Sequence, residues 1–88
     1  MVRGTCVVEP LVGLHARPAA DFVRLASLSK HTVTISNRVG KKASGTSILA
    51  VLSLGAKHGE ELTIEVDGED EVNVLKALIR VVSGEQTV

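Results

Sequence analysis

Apolar residues recur along this chain with two periods. Residues 2–9 alternate, with Cys6 and Val8 on one face and Thr5, Val7 and Glu9 on the other. Residues 31–36 alternate again with Val33 and Ile35 inward, and residues 61–66 do so with Leu62, Ile64 and Val66 inward. A weaker alternation over residues 41–44 predicts a short strand paired back on its predecessor across the Asn37 to Gly40 turn. Elsewhere the period is three to four. Ala19, Phe22, Val23 and Ala26 mark a helix from Ala16 to about Leu28, with Asp21 and Arg24 on its solvent side. Val74, Leu75, Leu78, Ile79 and Val82 mark another from about Asp70 to Val82, with Glu69, Asp70 and Glu71 in its first turn, where the helix dipole favours acids. The apolar run Ser47 to Leu54 is too short for an independent helix and reads as a short one packed on the surface, closed by Gly55. Pro10 and Gly13 end the first strand, Gly45 breaks the third, Asp67-Gly68 turns after the fourth, and residues 83–88 fray.

The resulting order, βαββαβα, predicts an α+β fold: an open-faced sandwich in which a four-stranded antiparallel sheet carries three helices on one face. No repeat, linker or low-complexity segment interrupts it, so residues 1–88 are expected to form one domain.

Composition narrows the function. A hydrophobic content of 44% with zero net charge suits a compact chain rather than a disordered one. No apolar run approaches the roughly 18 residues of a membrane span, and no signal sequence is apparent, so the expected place is the cytoplasm, without membrane insertion. Cys6 has no disulfide partner; it is either a buried small hydrophobe or a reactive thiol. His15, His31 and His58 lack ligand spacing, so neither a metal nor a cofactor is expected. One aromatic residue, Phe22, and no basic surplus argue against nucleic acid. The charges are nevertheless segregated. Seven of ten acids lie between Glu60 and Glu71, and seven of ten bases lie between Arg17 and Lys57, where Asp21 is the lone acid. An electropositive region of this kind suits a phosphate or an acidic partner.

Candidate chemistry concentrates in Gly13-Leu14-His15-Ala16-Arg17-Pro18-Ala19. Gly13 lets the loop bend, His15 falls at the helix N-cap, and Pro18 fits a first turn whose N–H groups have no intrahelical partner. Pro18 also biases Arg17 away from helical geometry, a conflict that sequence leaves standing. Free N–H groups and the positive end of the dipole make an anion site and favour neutral, nucleophilic imidazole over imidazolium. Ala16 and Arg17 would then bind the oxygens of a phosphoryl group on His15. The competing reading is a capping or surface histidine.

This stretch resembles the active-site signature of the HPr family, the histidine phosphocarriers of the bacterial sugar phosphotransferase system. Residues 47–55, Ser-Ile-Leu-Ala-Val-Leu-Ser-Leu-Gly, are similar to the family's second signature, and residues 67–71, Asp-Gly-Glu-Asp-Glu, to its third. The resemblance implies the same open-faced sandwich. It implies that Nδ1 of His15 takes a phosphoryl group from phosphorylated enzyme I, charged by phosphoenolpyruvate, and passes it to IIA components, with Arg17 assisting. Such a protein is a covalent transfer intermediate rather than a stand-alone catalyst.

Ser47 opens the short helix as an N-cap, a role Thr46 could take instead. In many members of the family the matching serine is phosphorylated by HPr kinase/phosphorylase, and the resemblance extends that regulatory role to Ser47. This chain departs from the pattern in carrying Thr46 where Lys is common, and one extra residue in the preceding loop. Ile48, Leu49 and Leu52 either pack on the core or form a docking patch, with Leu49 and Leu52 expected on one face. The resemblance favours docking, extended by Ala20 and Arg24. The alternatives are a paralogue with a regulatory role, in a nitrogen-type phosphotransfer chain or bound to a transcriptional regulator, and a small-ligand-binding α+β domain.

Overall fold

The structure, a computed structural model, describes residues 1–8, 16–29, 31–55 and 57–83; for residues 16–18 it describes the backbone alone. The elements are β1 (Val2–Val7), α1 (Ala16–Ser29), β2 (Thr32–Ser36), β3 (Lys42–Ser44), α2 (Ile48–Ser53), β4 (Glu61–Asp67) and α3 (Glu71–Ser83). The strands form one antiparallel sheet in the order β1-β4-β2-β3. This is the predicted α+β architecture.

Register explains why one face is covered. Cys6 lies opposite Leu62, Gly4 opposite Ile64, and Ile35 opposite both Ile64 and Ala43. These rungs carry the apolar set, so every strand turns its apolar face to the same side. There they meet Ala19, Phe22 and Ala26 of α1, Val51 of α2 and Leu75, Leu78 and Val82 of α3, all buried. The opposite face is polar: Thr5, Thr63, Ser36 and Lys42 form one rung, and Arg3, Glu65, Thr34 and Ser44 the next. Arg3 and Glu65 on that face form an ion pair at 3.2 Å.

Two of the glycines stand close against core side chains. A Cβ on Gly4 would lie 2.9 Å from Cδ1 of Ile79, so α3 presses directly on β1. A Cβ on Gly45 would lie 2.5 Å from Cγ1 of Val33 and 3.1 Å from Cε1 of Phe22. Gly45 therefore does more than break β3: its N–H donates to the carbonyl of Val33 at 2.8 Å, continuing the pairing to β2.

Several boundaries differ from the sequence reading. The β1 ladder ends at Val7; Val8 still exchanges hydrogen bonds with the Gly59–Glu60 turn, and Glu9 lies outside the described residues. Helix α3 begins at Glu71, so Glu69 and Asp70 precede its first turn. Asp70 has φ 55°, a left-handed geometry that Asp tolerates better than most residues. Its carboxylate accepts from Asn73 Nδ2 at 2.7 Å, while Glu71 accepts the Gly68 N–H at 3.2 Å. The same end of the sheet is closed by His31, whose Nε2 hydrogen-bonds the Glu69 carbonyl. Ser83, expected to fray, is the last residue of α3, and the rest of that tail, residues 84–88, lies outside the described residues.

Candidate functional site

Helix α1 starts at Ala16 and runs through Pro18 at its third position. The conflict posed by Pro18 is thus resolved toward helix: Arg17 is helical, and the proline sits where an N–H would have no intrahelical acceptor. His15 and the side chains of Ala16 and Arg17 lie outside the described residues, so the anion site expected from them does too. Further along, Ala20 is exposed. Arg24 is exposed as well and approaches Asp21 at 3.4 Å. An exposed pair of this kind leaves the guanidinium available to an incoming carboxylate.

Helix α2 packs against α1 and β3. Its cap is Ser47, in extended geometry (φ −118°, ψ 112°), with Oγ accepting the Ala50 N–H at 3.3 Å. Thr46 does not compete, because its Oγ1 is 2.9 Å from Ser44 Oγ. At the other end Gly55 has φ 60° and donates to the Leu52 carbonyl at 3.0 Å, the expected glycine stop.

The apolar residues of α2 divide among three surroundings. Val51 and Leu54 are buried. Leu49 is 78% exposed and Ile48 38% exposed. Leu52 is half-buried and packs against the core, so Leu49 and Leu52, expected on one face, differ in burial. At about 100° per residue, Leu49 lies almost opposite the side that Val51 and Leu54 turn inward, whereas Leu52 lies about 40° nearer to it. Of the candidate docking residues, Ala20, Arg24, Ile48 and Leu49 are thus presented on the surface of two adjoining helices, and Leu52 sits half within it.

Two contacts here were not visible in sequence. Nζ of Lys41 donates to the Ser53 carbonyl at 2.8 Å, fastening the β2–β3 hairpin to the C-terminal end of α2. A cation there meets the unpaired carbonyls and the negative end of the helix. Cys6 takes the first of its two readings: it is buried, and its Sγ lies 3.8 Å from the Leu62 carbonyl. Burial, together with the nearby Glu61 carboxylate, pushes its thiol up to about 11. That is the opposite of what a nucleophilic thiol needs. Among the described residues no group of three or more His, Cys, Asp and Glu side chains could hold a metal ion, and no helix is long and apolar enough to cross a membrane.

A family model described as "PTS HPr component phosphorylation site" matches residues 2–83, nearly the whole chain. The chain belongs to the HPr family of phosphocarrier proteins. It is 44% identical over 71 residues to phosphocarrier protein HPr of Streptomyces coelicolor, covering 81% of this chain and 76% of that protein. It is 37% identical over 72 residues to phosphocarrier protein NPr of Proteus mirabilis, covering 82% and 80%. The crystal structure of HPr-C-His from Thermoanaerobacter tengcongensis superposes with a TM-score of 0.86 at 33% identity, over 99% of this chain and all of that one. The HPr fold therefore accounts for the sheet order and the three helices together, and the protein functions within a phosphotransfer chain.

Proposed function

We propose that residues 1–88 act in the cytoplasm as one phosphocarrier domain with His15 as acceptor. Nδ1 of neutral His15 attacks the phosphoryl phosphorus carried by phosphorylated enzyme I. The N–P bond forms as the donor's bond to phosphorus breaks, and the group later moves to a IIA acceptor by the same exchange in reverse. Arg17 and the N–H groups of the first turn, including that of Ala16, offset the charge on the phosphoryl oxygens. The observation that carries this reading is the family match over residues 2–83. The helix that starts directly after His15 supports it, because such a terminus favours an anion. The partners dock on Ala20, Arg24, Ile48, Leu49 and Leu52, and the exposure of Leu49 beside α1 supports this.

The test is direct. Incubation with enzyme I and labelled phosphoenolpyruvate should give acid-labile, base-stable phosphate on the protein, absent from His15→Ala. A labelled His15→Ala protein would refute the assignment. Leu49→Asp should slow transfer from enzyme I with the fold intact; an unchanged rate would remove Leu49 from the interface.

Ser47 is the second proposed acceptor, for an HPr kinase/phosphorylase. A phosphate there would sit at the N-terminus of α2, held locally yet repelling an acidic partner. ATP, purified kinase and mass spectrometry test it; an unmodified Ser47 beside a labelled control substrate would refute it. A second reading, a paralogue in a regulatory, nitrogen-type chain or bound to a transcriptional regulator, is supported by the likeness to NPr. Competition between sugar-type and nitrogen-type IIA acceptors separates the two.

A further inference from the structure

The last contact of β1 is irregular. In an undistorted antiparallel ladder the rung after Val7–Glu61 would join Val8 to Glu60 through two hydrogen bonds. One of them is present: the Val8 N–H donates to the Glu60 carbonyl at 2.9 Å. The other is exchanged. The Glu60 N–H donates to the Lys57 carbonyl at 3.0 Å, closing a four-residue turn, and the Val8 carbonyl instead accepts the Gly59 N–H at 2.8 Å. Val8 thus faces two residues, Gly59 and Glu60, with Gly59 at φ 85°. This is a β-bulge whose first residue is a left-handed glycine, built on a turn that has the same glycine at its third position. Space does not require glycine there, because a Cβ would meet no described atom within 4 Å; the backbone angle alone does.

A bulge of this kind increases the local twist and ends the pairing, so it sets where β1 is released and how its last residue is turned. The residue it grips is Val8, whose side chain is fully buried in the core. After six further residues the chain reaches His15, and α1 begins directly beyond it at Ala16. In the order of the chain the bulge is thus the last fixed point described before the proposed nucleophile, and the first turn of α1 is the next one after it. We propose that Gly59 is a positioning residue for phosphoryl transfer: by holding Val8 through the bulge, it fixes the point and direction from which the chain sets out toward His15. This rests on the reading of His15 as the acceptor. Transfer to an imidazole nitrogen requires alignment with the phosphorus and its leaving group, so the bulge acts on the limiting rate rather than on docking at α1 and α2.

Single-turnover transfer from phosphorylated enzyme I, followed by rapid quench over a range of carrier concentrations, separates the limiting rate from the half-saturating concentration. Gly59→Val strains the left-handed backbone without meeting a packed side chain, whereas Gly59→Asn introduces a residue that tolerates that geometry. Gly68→Ala, at the opposite end of β4, controls for lost stability, since its Cβ would lie 2.6 Å from the His31 ring. Each variant is assayed at a temperature where circular dichroism shows it folded. Gly59→Val should lower the limiting rate about tenfold, as a small misplacement of a reacting group does, and leave the half-saturating concentration within about twofold of wild type. Gly59→Asn should recover the limiting rate to within about twofold of wild type, and Gly68→Ala should match wild type. If Gly59→Val does not fold, Gly59→Ala carries the same strain in milder form and should lower the limiting rate by a smaller factor, again without moving half-saturation. An unchanged limiting rate in the strained Gly59 variant, or an equal loss in Gly59→Asn or in Gly68→Ala, would overturn the inference and leave the carrier reading standing. A wild-type chain that accepts no phosphate would remove the carrier reading, and the inference with it.

Discussion

Replacing Gly45 with alanine tests the packing of α1 and the β3 end against β2. The added Cβ would meet Val33 at 2.5 Å (Cγ1) and 2.9 Å (Cβ), and Phe22 at 3.1 Å (Cε1). None of these atoms belongs to a flexible side-chain end. Val33 is β-branched and stiff about χ1, and it is 3% exposed in the middle of the sheet; Phe22 is fully buried under α1. The methyl group therefore has to displace β3 from β2 or α1 from the sheet. Overpacking of this kind costs about 1–3 kcal/mol, and contact with a Cβ next to the backbone places Gly45→Ala in the upper half of that range. At roughly 4–8 °C per kcal/mol for a domain of this size, the midpoint should fall by about 10–20 °C. Urea unfolding followed by circular dichroism measures it. The decisive comparison is a double-mutant cycle: Val33→Ala, destabilising alone, creates room for the new methyl, so the double variant should be more stable than the sum of the single losses by about 1–2 kcal/mol. Strict additivity, or a Gly45→Ala midpoint equal to wild type, would refute the steric account.

The cap at α2 makes a sharper contrast. Ser47→Ala should cost about 1 kcal/mol and Thr46→Ala much less, because only Ser47 accepts an N–H of the helix; equal losses in urea unfolding would contradict the assignment. Cys6, raised from 9.0 to about 11, should hold about one hundredth the thiolate of an ordinary cysteine at pH 8, so iodoacetamide should label it at least about a hundredfold slower in the folded protein than in urea; rapid native labelling would show the thiol accessible. The Met1 ammonium, 3.0 Å from Glu71, together with the Gly68 N–H, holds the Glu71 carboxyl below its usual range, and the same contact raises the amine. A lowered acid contributes stability that is present above its unfolded value, about 4.3, and lost as pH falls through the folded one; a raised amine contributes below its unfolded value, near 8, and loses it as pH rises through the folded one. Glu71→Gln should therefore destabilise the protein most between about pH 5 and 8 and flatten both limbs of a stability–pH profile; identical profiles for wild type and variant would contradict this.

What was legible in the sequence follows from range. Alternation at Val33/Ile35 and Leu62/Ile64/Val66 is a property of consecutive residues, so the strands and their buried faces could be read directly. The helices followed in the same way from Phe22 and Leu78 and their neighbours. The candidate nucleophile could be named because Gly13, His15, Arg17 and Pro18 fall within six consecutive residues. Relations between distant segments were not. Gly45 looks like a strand breaker until Val33 and Phe22 are seen beside it. Leu49 and Leu52 look equivalent by spacing until the direction of the core is known. Thr46 and Ser47 are equally good caps in isolation, and a side-chain contact to Ser44 decides between them. Asp70 in left-handed geometry displaced the start of α3, which acid content alone places too early.

The central position of β4 governs how the molecule can come into being. It bonds to β1 on one side and β2 on the other, yet it spans Glu61–Asp67 and is the last strand among the described residues. During synthesis from the N-terminus, β1 has no partner strand until some fifty residues after it has emerged. Before then only the β2–β3 hairpin can pair. A nascent chain stopped before residue 61 holds an unpaired β1 and an α1 whose apolar face has only the β2–β3 hairpin to pack on. Folding of this carrier is consequently a late event dominated by contacts distant in sequence, and the segment that releases it contributes no residue to the proposed phosphoryl site.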